Sequence, residues 1–200
     1  MGGPRWDRVR RALAVRPAVP LGEPVSTRAA VAVVLREAPG PASPELELLF
    51  IRRAEHERDP WSGQVGFPGG RSEPGERLLD TAIRETAEET GLDLRGDGEA
   101  LGALDEVRAM ARGRPVDLAI SPFVFRFRGT APGAPSAEVV SLHWLPLPRL
   151  LEARDRSTVE YRHEGTTFHL PCLRIEELVI WGLTFRMLEN LRELLLAIGA

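Results

Sequence analysis

Residues 70–92 read Gly-Arg-Ser-Glu-Pro-Gly-Glu-Arg-Leu-Leu-Asp-Thr-Ala-Ile-Arg-Glu-Thr-Ala-Glu-Glu-Thr-Gly-Leu. Three carboxylates, Glu85, Glu88 and Glu89, stand at helical spacing and span an arc of roughly 100° on an ideal helix. Leu79, Ile83, Thr86 and Ala87 fall on another side. One helix thus turns an apolar stripe to a core and a dense negative stripe elsewhere. Like charges at i,i+4 repel by a few tenths of a kcal/mol even when exposed. A divalent cation would relieve that repulsion, and an all-oxygen donor set suits Mg²⁺ or Mn²⁺. Metals of this kind commonly act on phosphate groups. Pro74 and Gly75 break the chain ahead of the helix, which is expected over 76–90. Glu76 is placed at its positive end, and Gly91 ends it in a left-handed turn.

The spacing resembles the Nudix box, Gly-x5-Glu-x7-Arg-Glu-U-x-Glu-Glu-x-Gly-U with U usually aliphatic. Gly70, Glu76, Arg84, Glu85, Glu88, Glu89, Gly91 and Leu92 fall in register. Thr86 departs from the pattern at the first U. It can pack like valine if its hydroxyl finds the carbonyl one turn back. The resemblance implies an α/β fold, a Nudix-type α/β/α sandwich with a mixed β-sheet in a single domain. It also implies a pyrophosphohydrolase that needs Mg²⁺ or Mn²⁺. The ligands it implies are Glu85, Glu88, Glu89 and the carbonyl of Gly69. Glu85, Arg84, Glu88 and Glu138 are the expected catalytic residues. The proton of the attacking water is expected on a carboxylate, either Glu85 or Glu138, which precedes the Val139 strand. Arg84 can pair with Glu88 four residues on.

Upstream, Leu48-Leu49-Phe50-Ile51-Arg52-Arg53-Ala54, then Arg58, then Gly63-Gln64-Val65-Gly66-Phe67-Pro68-Gly69-Gly70 look like the motif of coenzyme A pyrophosphatases. Four residues separate Arg58 from Gly63 where that pattern usually has three. Val179 to Thr184 resemble the start of the last helix in those proteins. The substrate implied is a small nucleotide, coenzyme A or a derivative, cut to 3′,5′-ADP and 4′-phosphopantetheine. Arg52, Arg58, Phe67 and Gly70 are the expected substrate contacts. Arg52 and Arg53 alternate in direction, so both cannot serve one site directly. Phe67 or Trp61 is a candidate to pack on the adenine or the pantetheine arm. The alternatives are another nucleoside diphosphate derivative (ADP-ribose, a dinucleotide, a nucleoside triphosphate) and a non-catalytic ligand-sensing module. Loss of box carboxylates would favour a sensor, and all of them are present.

Composition bounds the rest. Two hundred residues suit one domain with a real core, and 43% hydrophobic with 28% charged content is ordinary for a globular chain. A net charge of −3 gives no case for a nucleic-acid partner. All 26 basic residues are arginine, so any phosphate clamp is built from guanidinium groups. The four histidines show no metal-ligand spacing, and the single Cys172 reads as a core thiol in a reducing cytoplasm. No apolar run is long enough to span a membrane. Residues 1–27 are expected as a basic N-terminal helix and connector, with a mitochondrial transit peptide as the alternative, and 28–200 as the Nudix domain. A homodimer is a possible assembly. Strands are expected at 28–37 and 46–53, paired as a hairpin, and at 100–110, 115–128 and 139–145, with a hairpin over 158–170 and a closing helix over 181–198.

Overall fold

The computed structural model describes residues 3–40, 45–57, 61–111, 113–152, 154–163 and 165–198. Its elements run α1 (Gly3–Val15), β1 (Thr27–Glu37), β2 (Leu46–Arg53), β3 (Val65–Gly66), β4 (Gly69–Arg71), α2 (Leu78–Thr90), β5 (Gly98–Ala103) and β6 (Val107–Ala111). They continue with β7 (Arg114–Phe127), β8 (Val139–Pro146), α3 (Leu147–Leu151), β9 (Arg156–His163), β10 (Thr166–Ile175), β11 (Leu178–Trp181) and α4 (Gly182–Ala197).

β1 is the spine. It runs parallel to β7 from Thr27 to Leu35, pairs antiparallel with β2 at Leu35–Glu37, and pairs antiparallel with β4 at Ala29–Val31. The other pairs of this eight-stranded mixed sheet are antiparallel, with β3 and β8 on β2 and β5 and β6 on β7. The near-continuous apolar run of β1 is the signature of a strand covered on both faces. Val33 and Leu35 enter one core, with α1, α4 and a second sheet. Ala30, Ala32 and Val34 enter another, with Leu49, Phe125 and Ala82 of α2. The architecture is α/β, with a mixed sheet between helical layers.

α2 turns Ala82 and Thr86, both fully buried, to that second core. The Thr86 hydroxyl donates to the Ala82 carbonyl at 2.7 Å, so a hydroxyl at an aliphatic position is satisfied within its own helix. The helix starts at Leu78, not at Glu76. Glu76 lies in the preceding turn, where its carboxylate accepts the Glu73 N–H and the Thr81 hydroxyl. Gly91 closes the helix at φ 70°, donating to the Ala87 carbonyl.

Three further differences from the sequence reading have physical causes. The strand expected over 100–110 breaks into β5 and β6, because Asp105 and Glu106 turn to the connector after α1. Asp105 holds Arg16 through two bonds, at 2.9 and 2.7 Å, and also accepts from Val19 N–H. Glu106 accepts from Leu21 N–H and Ser121. Second, the β1–β2 pairing is limited to three residues, since β4 takes the other end of β1. Third, Val179–Trp181 is strand, not helix. β11 hydrogen-bonds to β10 and completes a three-stranded sheet, β11-β10-β9, against which α4 packs.

α1 buries Trp6, Val9, Ala12 and Leu13, and Trp6 Nε1 donates to Glu37 at 2.6 Å. Cys172 is fully buried. No helix among the described residues is long and apolar enough to cross a membrane.

Candidate active site

β4 and α2 build the site together. Gly69 sits at φ 153°, and a Cβ there would lie 2.6 Å from the Val31 Cα. Only glycine lets this strand close against β1. A Cβ on Gly70 would lie 2.5 Å from the Glu85 carboxyl. The glycine pair therefore brings bare backbone flush against the acidic face of α2.

Glu89 is 4% exposed, and its Oε2 accepts the Gly69 N–H at 2.9 Å. Its Oε1 lies 3.6 Å from Arg53 Nη1. Burial pushes the Glu89 carboxyl up to about 7. The Gly69 N–H and Arg53 oppose that rise, while Glu85 and Glu138 add to it. Glu85 is raised as well, first by burial, although Arg84 Nη1 donates to it at 2.8 Å. Both acids are thus held in a place that disfavours their charge, which a divalent cation would restore. Among the described residues, no three acidic, imidazole or thiol side chains already converge as a cage. The donors that fit a hard cation here are two carboxylates and the backbone oxygens of a glycine strand.

Arg84 donates to Glu76 at 2.9 Å, to Glu85 at 2.8 Å, to Glu88 at 3.1 Å and to the Arg71 carbonyl at 3.1 Å. The pairing with Glu88 is present, but it is the outermost bond of a brace that ties the pre-helix turn, β4 and α2 together. The guanidinium holds Glu76 down to about 2. Glu88 is 59% exposed in its side chain and does not line the cleft.

The cleft in front of Glu85 and Glu89 has a volume of about 420 Å³ and is also bordered by Arg53, Gly69, Gly70 and Glu138. Glu138 reaches it on a loop stapled to the end of α2. Ser136 N–H donates to the Glu89 carbonyl at 3.1 Å and Ala134 N–H to the Thr90 carbonyl at 2.8 Å. The Glu138 carbonyl accepts from Ala54 N–H at 2.8 Å, next to Arg53.

The expected substrate contacts divide. Gly70 lies in the cleft. Arg52 is exposed and does not border the cleft, whereas its neighbour Arg53 does. Alternation along β2 puts Arg53 with Leu49, which packs under α2, and that parity favours Arg53 once the box acids are assigned to α2. Phe67 borders the cleft but is 5% exposed and stacks on Phe50 with ring centroids 5.0 Å apart, so it is chiefly core. Arg58 lies outside the described residues. Gln64 and Thr184 also line the cleft, each inside a quoted motif but not singled out there, and Ile120 of β7 joins them without any signal in the sequence pattern, because a distant strand brings it there.

A family model described as NUDIX domain matches residues 26–163. The chain belongs to the Nudix family and carries a Nudix pyrophosphohydrolase domain. An uncharacterized Schizosaccharomyces pombe protein is 41% identical over 112 residues, covering 52% of this chain but 33% of that protein. The "Uncharacterized Nudix hydrolase NudL" of Yersinia pestis (strain Pestoides F) is 28% identical over 156 residues, covering 75% of this chain and 73% of its own. A MutT/nudix family protein from Enterococcus faecalis superposes with a TM-score of 0.56 at 17% identity, covering 100% of this chain and 76% of that one. That last likeness bears on the fold alone. Nudix hydrolases generally use divalent metal ions, in keeping with the donors around Glu85 and Glu89.

Proposed function

We propose that this chain hydrolyses the diphosphate bond of coenzyme A or its derivatives, releasing 3′,5′-ADP and 4′-phosphopantetheine. The observation that carries the hydrolytic reading is the pair of acids, half-buried Glu85 and buried Glu89, set against the bare backbone of Gly69 and Gly70 at the base of the cleft. The choice of coenzyme A rests on the upstream arginine and Phe-Pro-Gly-Gly motif.

Glu85, Glu89 and the Gly69 carbonyl would hold Mg²⁺ or Mn²⁺, with Glu88 at the rim. When bound, the cation neutralises the diphosphate and makes water a better nucleophile. The chain does the rest. The glycine pair lets the phosphates approach the backbone. Arg53 offsets phosphate charge from the β2 side. Arg84 keeps Glu85 in one orientation by bracing it to Glu76 and β4. A water oxygen attacks one phosphorus in line. The new P–O bond forms as the anhydride P–O bond breaks, and the other phosphate leaves with the electron pair. The water proton passes to a carboxylate, Glu138 or Glu85.

The test is product analysis by mass-detected chromatography with Mg²⁺ or Mn²⁺ and a panel of coenzyme A, oxidised coenzyme A, ADP-ribose, NADH and nucleoside triphosphates. Preferential release of 3′,5′-ADP from coenzyme A is the expected result. Faster cleavage of another diphosphate keeps the chemistry and overturns the substrate.

A further inference from the structure

A second compartment opens beside the cleft. It has a volume of about 540 Å³, larger than the cleft itself. Trp61, Gln64 and Leu183 border both, so the two share a wall. The far side is the three-stranded sheet. Register pairs Phe168 with Tyr161 and Cys172 with Trp181. Paired residues and their i+2 neighbours share a face, which puts Tyr161, Phe168, Leu170 and Trp181 on one side of the sheet. All four border the compartment. The Tyr161 and Trp181 rings stand 5.5 Å apart. At the mouth, Phe168 is 43% exposed and Met110 41% exposed. Large apolar side chains left in water around a concave, aromatic-lined space mark a binding surface.

The shared wall is fixed in place. Trp61 Nε1 donates to the Met110 carbonyl at 3.0 Å, bridging the loop before β3 to β6. The Thr184 hydroxyl donates to the Val65 carbonyl at 3.1 Å, pinning the first turn of α4 to β3. The charged residues at the compartment are Arg186 and Glu189 on α4, and Glu189 is paired with Arg156. Such a lining gives little to a second phosphate and much to hydrocarbon.

We propose that this aromatic compartment is a specificity site for an apolar group carried on the non-nucleotide half of the diphosphate substrate, such as an alkyl or acyl chain. The inference rests on the reading of the adjoining cleft as a diphosphate hydrolase, and not on coenzyme A. A chain leaving the cleft past Trp61 and Leu183 reaches the compartment bordered by Tyr161, Phe168 and Trp181.

The test uses ADP esterified at its terminal phosphate with methyl, butyl and octyl alcohols, alongside coenzyme A, with AMP and 3′,5′-ADP as the measured products. The expected result is a rise in kcat/KM of about fourfold per methylene until the compartment fills. Phe168→Asp should remove at least about tenfold from the octyl-to-methyl ratio, the size expected for apolar discrimination in a pocket, and leave the methyl ester unchanged. Tyr161→Ala is the second variant, with its fold checked by circular dichroism. A flat chain-length series overturns the inference even if coenzyme A is cut well. A steep series with poor cleavage of coenzyme A upholds it and overturns the choice of coenzyme A. A dimer in sedimentation that Phe168→Asp makes monomeric would assign the patch to a second copy, and overturns it as well.

Discussion

Glu89→Gln should raise the stability of the metal-free protein at pH 8 while abolishing its activity. The wild-type carboxyl is 4% exposed and is pushed from 4.5 to about 7. Because the folded value lies above the unfolded one, the native state holds the proton more tightly. Stability is therefore full below about pH 4.5, falls as pH rises to about 7, and stays at the lower level beyond. At about 1.36 kcal/mol per pH unit, that window amounts to about 3 kcal/mol. Glutamine is uncharged, and its amide oxygen still accepts the Gly69 N–H. Some of the relief is lost because Arg53 loses its partner, so a net gain of about 1–2 kcal/mol is expected at pH 8. For a chain of this size that is about 2–8 °C in Tm. The assay is differential scanning calorimetry with chelator at pH 5 and pH 8. The gain should vanish at pH 5, where Glu89 is already protonated. Adding Mg²⁺ should then stabilise the wild type and not the variant, since a ligand that binds only the folded state raises its stability. A variant that is less stable at pH 8, or whose difference ignores pH, would refute the account of Glu89 as a charge kept in place for a cation.

Gly70→Ala should cost about 1 kcal/mol of stability, because the Glu85 carboxyl must leave Arg84 to clear the new methyl, and lower kcat/KM by about 10²-fold through that displacement; equal activity would show that the Glu85 position is not critical. Arg84→Lys keeps the charge but not the fork that reaches Glu76, Glu85 and Arg71 together, and a fall of about 10²-fold in kcat with little change in KM is expected from steady-state kinetics. Glu76 is held down to about 2, so it stabilises the fold above about pH 4.5 and loses that effect as pH falls toward 2; Glu76→Gln should flatten the acid limb of the Tm–pH curve, and an unchanged limb would count against the brace. Glu138→Gln should lower kcat by about 10²-fold if Glu138 takes the proton; an unaltered kcat would move that role to Glu85.

Much of α2 was legible because its information is local. Eight residues at fixed spacing marked the helix and its left-handed end at Gly91, and Thr86 bonded back one turn as its chemistry required. The stripes of the ideal wheel did not both follow: Ala87, expected on the core side, is exposed, while Glu89, expected on the acid side, is buried and Glu88 stays outside the cleft. The double burial of β1 was equally readable from an unbroken apolar run. What escaped depends on pairing across long stretches of chain. β11 is four residues long and takes its identity from β10, a pairing invisible to the resemblance that read Val179 to Thr184 as the start of the last helix. The break at Asp105–Glu106 comes from partners in the connector, 85 to 89 residues away. Arg52 and Arg53 cannot be told apart without knowing which face of β2 looks toward α2. The several partners of Arg84 include a carbonyl of β4, which no helical wheel contains.

The fully buried Cys172 also has a practical use. The chain has no other cysteine and no lysine. Its folded surface therefore offers no native thiol to a maleimide and no side-chain amine to an active ester. A cysteine introduced at position 168, on the lip of the aromatic compartment, would be the one reactive sulfur on the folded molecule. A fluorophore attached there would report occupancy of that compartment directly, with no background from the rest of the protein.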